Sequence, residues 1–134
     1  MTNLASGNGA LSVLVIEDNP GDARLVELYL REDPARPFMV AKAARLSDGL
    51  AILKEQAIDV VLLDLSLPDS FGMETLATLR AASSVPVVVL TGTSDEVLAL
   101  EALRQGAQDY LVKGQGDGEL VRRAIRYAIG RSLA

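Results

Sequence analysis

Short apolar runs alternate with longer amphipathic segments along most of the chain, and this alternation constrains the fold more than any other feature. Three of the runs are rich in Val, Ile and Leu with little polar alternation, which is typical of strands buried on both faces of a parallel sheet. A fourth run is short, and a weaker fifth alternates as an edge strand does. In chain order the predicted strands, labelled β1 to β5, are Leu11–Ile16, Phe38–Ala43, Ile58–Leu63, Val85–Leu90 and Tyr110–Val112.

The remaining segments have helical periodicity, and each connecting segment is long enough for the crossover that parallel pairing requires. Ser47 is the predicted N-cap of the second helix, Ser94 or Asp95 caps the fourth, and Gly106 ends it. The predicted helices α1 to α5 are Pro20–Asp33, a helix through Leu50–Lys54, Met73–Ala82, a helix through Val97–Leu103 and about Asp117–Ile129. This strict alternation predicts an α/β fold with a doubly wound five-stranded parallel sheet.

Length and composition favour one globular domain in a reducing compartment. The chain has 134 residues, 49% of them apolar, with no cysteine and no histidine, which excludes disulfide scaffolds and thiolate metal sites. The net charge of −5 argues against direct binding to nucleic acid or a membrane surface. Met1–Ala10 lacks the features of a signal peptide, and no run approaches the ~18 apolar residues of a membrane span. We expect a cytoplasmic protein with a flexible leader (1–10), one domain (11–131) and a tail (132–134).

Charged and hydroxyl side chains follow four of the predicted strands at their carboxyl ends, where doubly wound sheets bind ligands. Glu17 and Asp18 follow β1, Asp64 follows β3, Thr91 follows β4 and Lys113 follows β5. Packed carboxylates favour Mg²⁺, which prefers oxygen ligands. A hydroxyl and an ammonium beside them would stabilise a phosphoryl group, which a carboxylate can accept as an aspartyl phosphate. The pattern therefore predicts a Mg²⁺-dependent phosphoryl-transfer site.

The motifs at these strand ends resemble those of response-regulator receiver domains of bacterial two-component signalling, over essentially Leu11–Arg131. The acidic pair lies in VIEDNP, Asp64 in VVLLDLSLP, Thr91 in VVVLTG and Lys113 in DYLVKG. The family's loop proline, loop glycine and switch aromatic correspond to Pro68, Gly72 and Tyr110.

The resemblance implies a flavodoxin-like (βα)5 fold with strand order 2-1-3-4-5 and a signalling function. Asp64 would accept a phosphoryl group from a sensor histidine kinase or a phosphotransfer protein, and Lys113 would pair with that group. Mg²⁺ would be held by Asp18, Asp64, the backbone carbonyl of Ser66 and, through water, Glu17. The domain would be no enzyme beyond its own phosphorylation and dephosphorylation.

The resemblance also implies a conformational switch. Thr91 would be drawn toward the phosphoryl group, and Tyr110 would turn inward behind it. The surface formed by α4, β5 and α5 would then change shape and serve for homodimerisation or for docking of a partner.

Two features depart from the family pattern. Gly114 follows the lysine where the family usually has proline, so the loop Gly114–Gly118 is expected to be looser. The segment RAIRYAI in the last helix is similar to receivers fused to sensor kinases or cyclic-di-GMP enzymes. Because the chain stops soon afterwards, no output domain is expected.

Simpler interpretations remain open for these residues. Asp18 has the residue type of an N-cap, Glu17 that of a solvated loop acid, and Tyr110 that of a core aromatic. An alternative function is a small phosphohydrolase with an aspartyl-phosphate intermediate, although Ser66 stands where common hydrolases have a second aspartate. A third hypothesis is a docking module that is not phosphorylated. Uptake of phosphate by Asp64 discriminates among these functions.

Overall fold

The computed structural model describes residues 10–33 and 38–133, and it contains a five-stranded parallel sheet between two layers of helices. The strands β1 to β5 are Leu11–Ile16, Phe38–Ala43, Val60–Leu63, Val87–Thr91 and Asp109–Val112. The helices α1 to α5 are Pro20–Arg31, Leu46–Glu55, Met73–Ala82, Glu96–Arg104 and Gly118–Leu133. The spatial order of the strands is β2-β1-β3-β4-β5, which confirms the predicted α/β fold and the strand order 2-1-3-4-5.

Both faces of the sheet are buried, each against its own helices. Val13 and Val15 pack with apolar residues of α1 and α5, whereas Leu14 and Ile16 pack with residues of α2, α3 and α4. Fully burying one such side chain stabilises the fold by about 1.5–3 kcal/mol. Burial on both sides explains why the central strands are continuously apolar, since a parallel sheet leaves no face for water.

Strands β3 and β4 begin later than their apolar runs. The amide of Asp59 donates to the carbonyl of Ser12 at 2.9 Å, but the Ser12 amide donates to the Asp59 carboxylate at 2.7 Å, so a side chain replaces one backbone acceptor just before Val60. Pro86 precedes β4 and has no N–H to donate to a ladder, and β4 begins at Val87. These residues shorten the regular strands from their amino ends.

The last helix is longer than its predicted range, which ended at about Ile129. Helix α5 continues to Leu133, through most of the segment expected to be a tail. Ala10 is buried, and the rest of the predicted leader lies outside the described residues. Among the residues described, no helix is both long and apolar enough to span a bilayer.

The N-cap predicted for α2 is wrong. Arg45 occupies the N-cap position without a side-chain hydrogen bond, and Ser47 lies inside the helix. The carboxylate of Asp69 instead accepts hydrogen bonds from the amides of Leu46 at 2.9 Å and Ser47 at 3.0 Å. A side chain distant in sequence thus satisfies the amides left without partners in the first helical turn. For α4, Asp95 is the N-cap, one of the two residues predicted.

A two-stranded antiparallel hairpin follows β3 and was not predicted. It pairs Ser66–Leu67 with Ser70–Phe71. The amide of Gly72 closes the loop with a 2.7 Å hydrogen bond to the carbonyl of Leu65. A 2.7 Å hydroxyl contact between Ser70 and Thr75 joins it to α3. The residues directly after Asp64 therefore have a defined shape and present Asp69 to α2.

Candidate functional site

Backbone hydrogen bonds hold the carboxyl ends of adjacent strands side by side. The amide of Glu17 donates to the carbonyl of Ala43 at 2.9 Å, and that of Asp64 to the carbonyl of Ile16 at 3.0 Å. The amide of Lys113 donates to the carbonyl of Thr91 at 2.8 Å. The side chains that leave these strands consequently meet at one edge of the sheet.

Three carboxylates form a compact group at this edge. Each of Glu17, Asp18 and Asp64 offers an oxygen, and these oxygens lie within 4.8 Å of one another. Glu17 and Asp64 are buried, with 8% and 5% of their surface exposed, whereas Asp18 is exposed to solvent. We call these three residues the acid group; the structure brings them together as the strand topology led us to expect.

Lys113 is the cation that neutralises this group in the structure. Its Nζ lies 2.5 Å from Oε1 of Glu17 and 2.8 Å from Oδ2 of Asp64. A third carboxylate, that of Asp22, lies 3.0 Å from the same nitrogen. Asp22 was not predicted as a site residue. It lies in the first turn of α1, which begins directly after the acidic pair Glu17–Asp18 at the end of β1, and an acid at that place in the sequence was the available signal.

The electrostatics of the acid group reflect burial and crowding. Burial raises the pKa of Glu17 to about 7, against the opposing effect of its hydrogen bond with Lys113. Burial alone would lower the pKa of Lys113, but hydrogen bonds to Asp64, Glu17 and Asp22 outweigh it and raise that pKa. Lys113 is therefore charged at neutral pH, whereas Glu17 is close to its titration midpoint.

The remaining predicted residues lie around the same open depression. Both oxygens of Asp64 are engaged, because Oδ1 accepts a 3.1 Å hydrogen bond from the Ser66 amide and Oδ2 faces Lys113. Ser66 is exposed beside the acid group, and Thr91, which ends β4, is buried. The structure thus places at one depression the carboxylate, hydroxyl and ammonium groups that phosphoryl transfer requires.

Tyr110 lies within β5, three residues before Lys113. Its hydroxyl donates a 2.8 Å hydrogen bond to the carbonyl of Thr93. The ring is half-buried and packs against the core cluster on the α2, α3 and α4 face. Burial and the nearby Asp95 carboxylate raise the pKa of its phenol. The hydroxyl of Tyr110 is thus hydrogen-bonded to the loop that follows Thr91.

The loop after Lys113 has a conformation that proline does not adopt. Gly114 has φ 82° and Gly116 has φ 98°, whereas the ring of proline fixes φ near −65°. The glycine at the position of the family's proline is therefore a structural departure, with a turn of different shape behind the lysine.

The donor set fits Mg²⁺. Carboxylate oxygens are the ligands that this cation prefers, and the acid group supplies three of them within 4.8 Å of one another. Two of the three are buried, and one ammonium does not balance the charge of the group together with Asp22. A divalent cation would supply the missing positive charge.

A doubly wound domain with an acid group and a lysine at the carboxyl edge of its sheet has the architecture of a receiver domain. Comparison with known proteins agrees: the model of the response regulator receiver domain family matches residues 13–125. The chain belongs to this family, whose members bind Mg²⁺ at an acidic cluster.

Similarity to individual proteins supports the same assignment. The chain is 40% identical to the KDP operon transcriptional regulatory protein KdpE of Escherichia coli over 123 residues, covering 92% of this chain and 53% of that protein. A response regulator receiver domain protein from Clostridium thermocellum has a TM-score of 0.79 with 30% identity, over 92% of this chain and 97% of the other. A CheY-like receiver domain protein from Methanospirillum hungatei shares the fold, with a TM-score of 0.79 at 20% identity and coverage of 93% and 98%. The chain spans about half the length of the curated relatives it matches.

Proposed function

We propose that this domain accepts a phosphoryl group on Asp64 from the phosphohistidine of a sensor histidine kinase or a phosphotransfer protein. The observation that carries the proposal is the pairing of a buried aspartate with Lys113 at 2.8 Å, inside a group of three carboxylates at the end of β3. Receiver-family membership supports it. A buried carboxylate beside a cation and an open depression is accessible to a phosphodonor and can act as a nucleophile.

In the proposed step an oxygen of Asp64 forms a bond to phosphorus, and the phosphorus–nitrogen bond of the donor breaks. The imidazole nitrogen keeps the electron pair of the broken bond. Asp18, Asp64, the carbonyl of Ser66 and, through water, Glu17 would hold Mg²⁺, which when bound offsets negative charge on the phosphoryl oxygens. Lys113 then gives up its contacts with Glu17 and Asp64 and pairs with the phosphoryl group.

The consequence of phosphorylation is a change of charge and hydrogen bonding at the end of β3. The hydroxyl of Thr91 would bond a phosphoryl oxygen by moving inward, and the ring of Tyr110 would give up its bond to Thr93 and follow. A bound group shifts such an equilibrium only by its differential affinity for the two states. The affected surface would be that of α4, β5 and α5.

The exposed side of α4 supports a role for this surface in association. Val97, Leu100 and Leu103 are 77%, 55% and 45% exposed, and their spacing puts them along one side of the helix. Exposed apolar patches mark interaction sites more often than isolated residues do. We propose that a second copy of the domain binds this side of α4, and that phosphorylation favours formation of the dimer.

The cellular role follows from these proposals. The domain would act in the bacterial cytoplasm, would catalyse only its own phosphorylation and dephosphorylation, and would not itself contact nucleic acid. KdpE of Escherichia coli is a transcriptional regulator about half of which aligns with this chain, so in such proteins the receiver is one part of a larger whole.

The central test is incubation with acetyl phosphate and Mg²⁺, followed by intact-mass measurement. The wild-type protein should gain one phosphoryl group only when Mg²⁺ is present, and Asp64→Asn should gain none. Asp59→Asn is the matched control because it changes the same residue type at the opposite end of β3, and it should be labelled normally. Equal labelling of Asp64→Asn and wild type would disprove the assignment.

The switch has a separate test. Amide spectra should be compared for wild type and Thr91→Ala with and without beryllofluoride, a mimic of the phosphoryl group. The wild-type protein should show shifts along α4 and β5 that are lost in the variant, although Asp64 stays phosphorylatable. Full wild-type shifts in Thr91→Ala would show that another residue couples the site to this surface.

A further inference from the structure

The turn that follows Lys113 is closed by a 3.1 Å hydrogen bond from the amide of Gln115 to the carbonyl of Val112, and it contains two glycines. Gly114 and Gly116 are both exposed and have positive φ, and a Cβ at Gly114 would meet nothing within 4 Å. Glycine at such positions allows the backbone more freedom than any other residue. The position of the ammonium therefore depends on the groups that contact it directly.

Two of the three carboxylates at the ammonium belong to the acid group. In the proposed reaction both carboxylates change partners. Glu17 would turn toward the metal, and Asp64 would form a bond to phosphorus. Their contacts with Lys113 are consequently not available throughout the reaction.

Asp22 differs from both in its place in the fold. It belongs to the first turn of α1, and its own amide donates a 2.9 Å hydrogen bond to the side chain of Asn19, the N-cap of that helix. Its carboxylate contacts Lys113 from the helix side at 3.0 Å. The side chain of Asp22 is 42% exposed, so water solvates its carboxylate beside the contact with Lys113.

We propose that Asp22 is a positioning residue, which keeps the Lys113 ammonium beside the acid group while Glu17 and Asp64 exchange their partners. The proposal rests on the proposed function for its consequence in phosphorylation. The contact itself is independent of that function, because it joins two side chains of the domain directly. The Asp22 carboxylate on α1 thus restricts the position of the Lys113 ammonium, which the glycine-containing turn does not do.

The test combines a structural and a kinetic measurement. The chain has three lysines, Lys42, Lys54 and Lys113, so the ammonium signals in an NMR spectrum are few enough to assign. In Asp22→Asn, measured without added metal, the NMR order parameter of the Lys113 ammonium group should fall. The rate of phosphorylation by acetyl phosphate and Mg²⁺ should fall about two- to fivefold, the range expected for one partly exposed charge pair.

Two further variants separate positioning from general charge effects. Asp48→Asn removes an exposed acid from the first turn of α2, with the same loss of charge and of favourable interaction with the helix dipole, and it should change neither measurement. Asp22→Glu keeps the carboxylate and should recover part of both. Circular dichroism of every variant checks that the fold is retained.

The outcomes distinguish the two proposals. An unchanged Lys113 ammonium in Asp22→Asn, or a mobile ammonium with an unchanged phosphorylation rate, would overturn the role of Asp22. If the wild-type protein takes up no phosphoryl group, the proposed function is wrong. The ammonium measurement then decides separately whether Asp22 holds Lys113, and the positioning role in phosphorylation falls with that function.

Discussion

Replacement of Lys113 by methionine is the most informative perturbation of the site, since it keeps the length of the side chain and removes its charge. The ammonium contacts three carboxylates at 2.5, 2.8 and 3.0 Å. Removing one partner of a buried ion pair costs about 3–5 kcal/mol, because the other charge is left uncompensated.

Two features of the site reduce this cost. The Lys113 side chain is 22% exposed and that of Asp22 is 42% exposed, so water screens part of the lost interaction. Glu17, whose pKa is about 7, takes up a proton more readily once the ammonium is gone. We therefore expect Lys113→Met to lower the free energy of unfolding by about 2–3 kcal/mol at neutral pH without Mg²⁺.

Although Lys113→Met should be less stable without Mg²⁺, Mg²⁺ should stabilise this variant more than it stabilises the wild-type protein. In the wild-type protein the cation competes with the ammonium for the acid group, whereas in Lys113→Met it does not. A unit charge a few ångströms from a divalent ion contributes on the order of 1–2 kcal/mol in an aqueous environment, so Mg²⁺ should bind the variant on the order of tenfold more tightly. At saturating Mg²⁺ both proteins are stabilised, and the tenfold difference in affinity should narrow the gap between variant and wild type by about 1.4 kcal/mol, roughly half of the loss.

Urea unfolding followed by circular dichroism, with and without Mg²⁺, measures both effects. Lys54→Met is the control because Lys54 is exposed on α2, and it should leave the unfolding midpoint and its Mg²⁺ dependence unchanged. The reasoning is refuted if Lys113→Met unfolds at the wild-type urea concentration without Mg²⁺. It is also refuted if Mg²⁺ shifts both proteins equally.

Other predictions concern the caps, turns and charges around the site. Asp69→Ala should lower the melting temperature because α2 loses its N-terminal hydrogen bonds, whereas Ser47→Ala should leave it nearly unchanged. Gly114→Ala should cost about 1 kcal/mol in urea unfolding because of its φ of 82°, whereas Gly92→Ala, which has open space and no positive φ, should cost little. Hydrogen bonds from Lys42 and Arg31 lower the pKa of Glu27 to about 2, so its charge stabilises the fold above pH ~4.5 and this contribution is lost toward pH 2. The stability difference between wild type and Glu27→Gln should therefore disappear over that range, and a constant difference would contradict it.

The fold was predictable because its periodic signals are strong and local. The bounds of β1, β2 and α3 agree with the predicted ranges, and each has a sequence pattern set by a buried face or by full burial. The hairpin after β3 was missed because each of its strands has two residues, too few for any periodicity. Boundaries moved where a single residue, such as Pro86 before β4, interrupts the ladder.

The N-cap of α2 shows a different limit. Ser47 has a suitable residue type and a suitable position, yet Asp69, more than twenty residues later, makes the hydrogen bonds. Capping statistics describe local sequence, and they contain no information on a side chain that the tertiary fold brings to a helix terminus. The sequence therefore predicted helix α2 correctly but not the residue that stabilises its first turn.

The site contains some features that the sequence pattern predicts and others that depend on tertiary contacts. The positions of Glu17, Asp64 and Lys113 followed from one topological fact, since parallel strands deliver their carboxyl ends to a common edge. The partners of the ammonium did not follow from it, because the contact with Asp22 joins residues 91 positions apart and depends on the direction in which α1 leaves β1. This contact changes the chemical picture, since Lys113 offsets part of the charge of the acid group and Asp22 together. In the proposed reaction the ammonium yields its contacts with Glu17 and Asp64, and the carboxylate of Asp22 is the partner that it can keep.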